Sequence, residues 1–172
     1  MPARLRAPLV VVAATLAAGL LASCQSVDLT KALQIQPVLT GYYDDGLLNG
    51  ESHLVPSFTF KIKNIGSQTV SAGIPLTVSF WFTADTDGEN DSVQVRGLEH
   101  SLAPGEVTEA FTVRAPHGFT LEGARADFFH HSLFKDMTAK VFVQRAGKFY
   151  RLGEFPIERQ IIPHVYSTSG RP

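Results

Sequence analysis

This sequence predicts an all-β fold: two sheets sharing about seven or eight antiparallel strands, with one short crossover helix. Three observations carry that expectation. Several segments alternate apolar and polar residues with period two, turn dipeptides recur about every ten residues, and one interval in the second half does not alternate. Two packed sheets are the usual way for that many half-wet strands to cover their apolar faces.

Strand-like patterning begins at Val38. Ser57 to Lys63 places Phe58, Phe60 and Ile62 on one face and Thr59, Lys61 and Lys63 on the other. Asn64-Ile65-Gly66-Ser67 follows as a turn. Leu76 to Thr83 repeats the alternation, with Leu76, Val78, Phe80 and Phe82 inward and Trp81 on the opposite, polar side. Val93 and Val95 mark a short strand. In the turn that follows, Pro104-Gly105 suits type II geometry, because Pro presets φ and Gly accepts a positive one. Val107 to Ala115 reads as a strand with Val107, Glu109, Phe111 and Val113 on one face. Thr138 to Gln144 and Lys148 to Glu154 read as strands joined across Ala146-Gly147, and Phe155 to Ile162 as an edge strand limited by Pro156 and Pro163. Thr120 to Phe134 breaks the alternation. Thr120 there is placed to cap a helix in which Leu121, Ala124 and Phe128 share a face, although Gly123 weakens it.

With 172 residues, 44% of them hydrophobic and 18% charged, the chain is sized for one domain and is too apolar for a disordered one. The net charge of -1 provides no basic excess to neutralise phosphates, which argues against a nucleic-acid binder. A single cysteine excludes an intramolecular disulfide and a multi-cysteine metal cluster.

The N-terminus reads as an address. Arg4 and Arg6 precede an apolar run from Leu9 to Leu21, too short to span a bilayer and suited to a signal-peptide core. The run ends in Leu21-Ala22-Ser23-Cys24, which resembles the bacterial lipobox. That resemblance implies cleavage between Ser23 and Cys24, acylation of Cys24, and a mature protein held at the membrane by its acyl chains. Each buried lipid CH₂ contributes roughly 0.8 kcal/mol, so two or three chains hold stably where one does not. Gln25, in place of an Asp, resembles outer-membrane rather than inner-membrane lipoproteins of double-membrane bacteria. On this reading residues 1–23 are a signal peptide, 24–36 a lipidated tether, 37–163 the domain and 164–172 a flexible tail. The remaining chain of about 150 residues buries roughly two-thirds of its unfolded surface, enough to fold without metal or disulfide.

Phe58-Thr59-Phe60-Lys61-Ile62-Lys63-Asn64, then Leu76 to Phe82, then Leu102 to Glu106 leading into Phe111-Thr112-Val113, resemble the Ig-like domains of small bacterial envelope proteins. The chain as a whole, with Leu152-Gly153-Glu154-Phe155-Pro156-Ile157 near its end, is similar to uncharacterised bacterial lipoproteins. The first resemblance implies an Ig-like sandwich; the second implies no activity and no catalytic residues.

Asp85, Asp87, Glu89 and Asp91 offer alternating carboxylates such as calcium prefers, but an EF-hand loop from Asp85 would need Gly and Glu where Asn90 and Arg96 stand. A solvated turn at Asp87-Gly88 is the simpler reading. His130-His131 are adjacent and so point apart on a strand or helix, which suits a helix end better than a metal. No G-x-S-x-G, H-E-x-x-H or Walker motif occurs, so no enzyme and no cofactor are expected, and an unrecognised hydrolase is the outlying alternative. The ligand-surface candidates are therefore aromatic: Trp81, and Tyr42 or Tyr43, one of which should face outward. They fit a protein partner in the envelope, or a glycan stacked on exposed rings. The competing reading of Trp81 is structural, with the indole covered by the crossover near Phe128 or Phe134.

Overall fold

The computed structural model describes residues 27–84, 91–95, 97–121 and 125–164. A one-turn helix α1 (Leu29–Ala32) leads into the long hairpin of β1 (Leu33–Leu48) and β2 (Glu51–Asn64). Then come β3 (Leu76–Phe82), β4 (Asp91–Val95), β5 (Phe111–Arg114) and β6 (Phe119–Leu121). A 3₁₀ helix (Arg125–His130) precedes β7 (Met137–Arg145), β8 (Lys148–Pro156) and β9 (Ile161–Ile162). One sheet is ordered β5-β2-β1-β9, with β6 sharing the outer edge of β2 beside β5; the other is ordered β4-β3-β7-β8. The protein is an all-β, two-sheet sandwich, as its alternation predicts.

Turn chemistry fixes the registers. Asn49 and Gly50 both have positive φ (55° and 88°), as do Ala146 and Gly147 (49° and 74°). This is the type I′ pattern, whose twist matches the flanking strands. The expected type II turn is present: Gly105 has φ 83° and the Glu106 amide donates to the Ala103 carbonyl at 3.0 Å.

The predicted inward residues form the core. Phe58, Phe60 and Ile62 of β2 face Leu76, Val78 and Phe80 of β3, and all six are fully buried. Ala139, Val141 and Val143 of β7 are also fully buried. Stacked rings bridge the layers, with Phe58 of β2 5.1 Å from Phe155 of β8 and 4.9 Å from Phe60 on its own strand. Burial of each such ring or aliphatic side chain contributes about 1.5–3 kcal/mol.

One end of the sandwich is closed by Asn64. Its side-chain amide donates to the carbonyls of Gln68 (2.9 Å) and Leu102 (2.8 Å), and its Oδ1 accepts from the Gly66 amide (2.9 Å). Its own backbone joins Glu106 and Gly105. The opposite end is plugged by rings: Phe128, Phe129 and Phe134 lie 5.4–5.8 Å from Tyr42, and Phe119 lies 6.1 Å away.

Four expectations are corrected. Residues 27–36 are not a tether from residue 28 onward. Asp28 caps α1 by accepting the Thr30 amide (3.1 Å), and Leu29, Ala32, Leu33 and Ile35 are buried in the core. Thr120 caps no helix, because Phe119–Leu121 satisfies its backbone on β2, pairing Thr120 with His53; the helical turn begins only at Arg125. The strand expected over Val107 to Ala115 shortens to Phe111–Arg114, Val107 making one isolated bridge to Lys63 while Glu109 is exposed. The last expected strand divides: Phe155 and Pro156 end β8, while Ile161 and Ile162 cross to the other sheet and pair parallel with Tyr42 and Tyr43. Gly41 permits that approach, since a Cβ there would lie 2.8 Å from the Gln160 carbonyl oxygen.

Asn64→Ala removes three hydrogen bonds at a fully buried site, so a loss of about 2–3 kcal/mol is expected. In thermal unfolding that should lower the midpoint by roughly 5–10 °C. Asn64→Asp should be no better, since it turns an acceptor toward the Gln68 and Leu102 carbonyls. Ala146→Asn should act oppositely, raising stability by about 0.5–1 kcal/mol, because asparagine tolerates the left-handed backbone that alanine resists. A midpoint unchanged or lowered by Ala146→Asn would contradict this account of the turn.

Candidate binding face

Sheet alternation that sends Leu76, Val78 and Phe80 inward sends Thr77, Ser79 and Trp81 outward. The register then fixes their neighbours: Trp81 lies opposite Thr138, Ser79 opposite Lys140 and Ser92, and Lys140 opposite Glu154. The Lys140 ammonium sits 4.2 Å from the centre of the indole and 3.9 Å from Glu154, which also accepts from Arg151. Hydroxyl pairs flank the ring, Thr83 with Thr138 at 2.9 Å and Ser79 with Ser92 at 2.7 Å. The indole is half-buried, and its Nε1 is enclosed without a hydrogen-bond partner. Such an unpaired donor costs about 1–3 kcal/mol. Among the described residues, the crossover rings Phe128 and Phe134 gather on Tyr42 rather than on the indole.

Lys140, Arg151 and Glu154 were not among the residues singled out from sequence. Their signal was available only as the wet half of two alternating strands, and pairing across β7 and β8 was needed to bring them to the indole.

The tyrosines are corrected as ligand surface, since neither faces outward freely. Tyr42 is fully buried in the aromatic plug, and its hydroxyl makes no well-formed hydrogen bond, only a weak approach to the Met137 backbone. Burial holds that phenol protonated well above its usual range, with the Asp136 carboxylate adding to the effect. Tyr43, 7% exposed, is covered by the Arg114 guanidinium 3.3 Å from its ring centre, and its hydroxyl meets His164 Nδ1 at 2.5 Å. Two adjacent rings on a strand point to opposite faces, but here both faces are covered.

Asp85, Asp87 and Glu89 lie outside the described residues, as do Ser23 and Cys24. Asp91 is engaged elsewhere: its carboxylate accepts from the His117 amide and meets His117 Nδ1 at 2.8 Å. Among the described residues no three histidine, cysteine or acidic side chains converge as a metal site would require. His53 pairs with Asp45 at 3.4 Å, and His130 ends the 3₁₀ helix.

No family model matches the chain, and no curated protein does. Among solved structures, it is similar to a Northeast Structural Genomics Consortium target at 16% identity and TM-score 0.41, over 76% of this chain and 85% of that one. A Bordetella pertussis target, provisionally named an ApaA protein, matches at 17% identity and TM-score 0.43, over 74% and 93%. A β-glucuronidase of Bacteroides uniformis matches at 14% and TM-score 0.38, over 73% of this chain but 12% of the enzyme. At this level none of them assigns an activity.

Tyr42→Phe tests the plug. Removing a buried hydroxyl that lacks a well-formed hydrogen bond should cost no stability and should gain up to about 1 kcal/mol. Because the folded phenol titrates above the unfolded value of about 10, its contribution is intact below that pH and is lost as pH rises beyond it. Chemical unfolding between pH 8 and 11 should show a smaller alkaline loss for Tyr42→Phe than for the parent. Equal slopes would mean the hydroxyl reaches solvent.

Proposed function

We propose that this is a lipid-anchored protein of the bacterial cell envelope, held by acyl chains on Cys24, which works by binding another envelope protein rather than by catalysis. The outer face of the β4-β3-β7-β8 sheet is its contact surface. The observation that supports this reading is Trp81. A half-buried indole stands on an otherwise polar sheet face with Lys140 against its ring and its N–H unpaired. Indoles and arginines concentrate binding energy at protein interfaces, and Arg151 lies on the same face. A partner group that took the place of the Lys140 ammonium over the ring would bury the remaining indole face.

A second reading keeps the same face but takes a glycan, stacked on the indole with the Thr83 and Thr138 hydroxyls at its rim. Lys140 already occupies the space over the ring, which favours a protein partner.

In-cell photo-crosslinking separates the two. A photoreactive residue at Gln94, exposed on the same face, should yield one discrete protein adduct. That adduct should fall about fivefold or more in Trp81→Ala and disappear in unanchored Cys24→Ala. Polysaccharide-bearing smears would replace the protein partner with a glycan, and no adduct at all would overturn this face as the contact surface.

A further inference from the structure

The end of the sandwich that carries α1 presents both apolar and cationic side chains around the point where the chain enters the fold. Phe149 is 58% exposed, Ile65 53% and Tyr150 39%. Ile65 and Gly66 donate their amides to the Ala32 carbonyl, which places that turn against α1. On the other side, Arg145 donates to the Val27 carbonyl, and Arg145, Ala146 and Tyr150 share a hollow of about 350 Å³ with Val27 and Leu29. Lys31 and Lys148 are exposed beside them, and the acid Asp28 is paired with Lys31 at 3.4 Å. Glu99, Glu106 and Glu109 of the same end line a separate hollow with Leu98 and Phe111.

We propose that this patch docks on an anionic phospholipid surface, with Phe149, Tyr150 and Ile65 entering the interface and Lys31, Arg145 and Lys148 meeting lipid phosphates. The inference rests on the proposed acylation of Cys24 and deepens it. Asp28 caps α1, and only three peptide steps separate Cys24 from Val27, a reach of at most about 11 Å. An acyl chain seated in the bilayer therefore leaves no slack with which to hold the domain away, and α1 cannot swing free because Leu29 and Ala32 are in the core. The face brought to the lipid is set by the fold, and it carries the aromatic and basic side chains that interfacial contact uses. The acidic hollow lies to one side, so the domain should tilt toward α1 and the β7–β8 turn.

The full chain, expressed with its signal peptide and purified from bacterial membranes, tests this. Cys24 is the sole cysteine, so once acylated it leaves an introduced thiol as the one labelling site. Ser67→Cys reports beside α1 and Ser132→Cys reports at the aromatic end, both at exposed positions. Each is labelled with an environment-sensitive fluorophore in vesicles of phosphatidylcholine and phosphatidylglycerol that carry a headgroup-region nitroxide lipid. Quenching at 67 should exceed quenching at 132 by about threefold or more. The combined change Lys31→Glu, Lys148→Glu and Phe149→Ser should bring the two together. Equal quenching in the parent, with an intact mass showing acylated Cys24, would overturn the docking face and leave the anchor standing. An intact mass with no acyl group would overturn both.

Discussion

The arrangement depends on one buried side chain more than on any other. Asn64 is fully enclosed, and its amide group joins two parts of the chain: its own turn at Gly66 and Gln68, and the distant loop at Leu102. Its backbone adds the Gly105 and Glu106 turn. Without that clamp, the end of the sandwich would present backbone groups that neither sheet can satisfy. An asparagine is needed because the site demands two donors and one acceptor in one planar group. The turn it holds also receives the Ala32 carbonyl, so α1 is fixed to the same point. Sheet pairing, loop closure and the entry of the chain are thus tied together at one position.

The opposite end is closed by different means. Five rings, Tyr42 with Phe119, Phe128, Phe129 and Phe134, meet at edge-to-face and tilted angles. The bidentate pair of Arg159 with Asp136 borders it, with the guanidinium 5.3 Å from the Phe134 ring centre. That hydrogen bonding also keeps the Asp136 carboxyl below the usual carboxylate range. One end is therefore polar and directional, the other apolar and tolerant of angle. Such asymmetry suits a molecule whose two ends face different surroundings.

Much of the fold was legible because alternation is a direct record of burial. Phe58, Phe60 and Ile62, or Ala139, Val141 and Val143, could be assigned to the core from period two alone, and the Pro104-Gly105 turn from backbone preference. What failed was whatever depended on a partner strand far away in sequence. Leu29 to Ile35 looked polar and short, yet its few apolar residues are all taken into the core. Thr120 looked like a cap because nothing in its own segment reveals a free edge on β2. The Asn49-Gly50 turn did carry a local signal, the strongest two-residue hairpin pair known to turn chemistry, and would have defined the β1–β2 hairpin had it been used. At the candidate face, Trp81 was visible as the odd residue on a polar side; its cover of Lys140, Glu154 and Arg151 was not. Tyr42 and Tyr43 misled for the converse reason, since composition cannot tell an outward ring from one capped by Arg114 and His164.

The two proposed surfaces are geometrically compatible, and each constrains the other. Strands that start or end at α1 run away from that end, so in the proposed docking both sheet faces stand sideways to the bilayer rather than toward it. Leu76 is near that end, beside Arg145 at the β7–β8 turn, and Trp81 lies five residues further along β3. At about 3.3 Å per residue this sets the indole roughly 17 Å beyond the level of Leu76. In the proposed arrangement, a partner that itself rises from the membrane surface gains most from the anchor. Loss of the rigid entry at α1 would lengthen the leash and let the face sample many heights, lowering the effective concentration that a short connection provides. The burial of Leu29 and Ala32 in the core, which the sequence alone did not suggest, is therefore the feature that joins the fold to the proposed binding role.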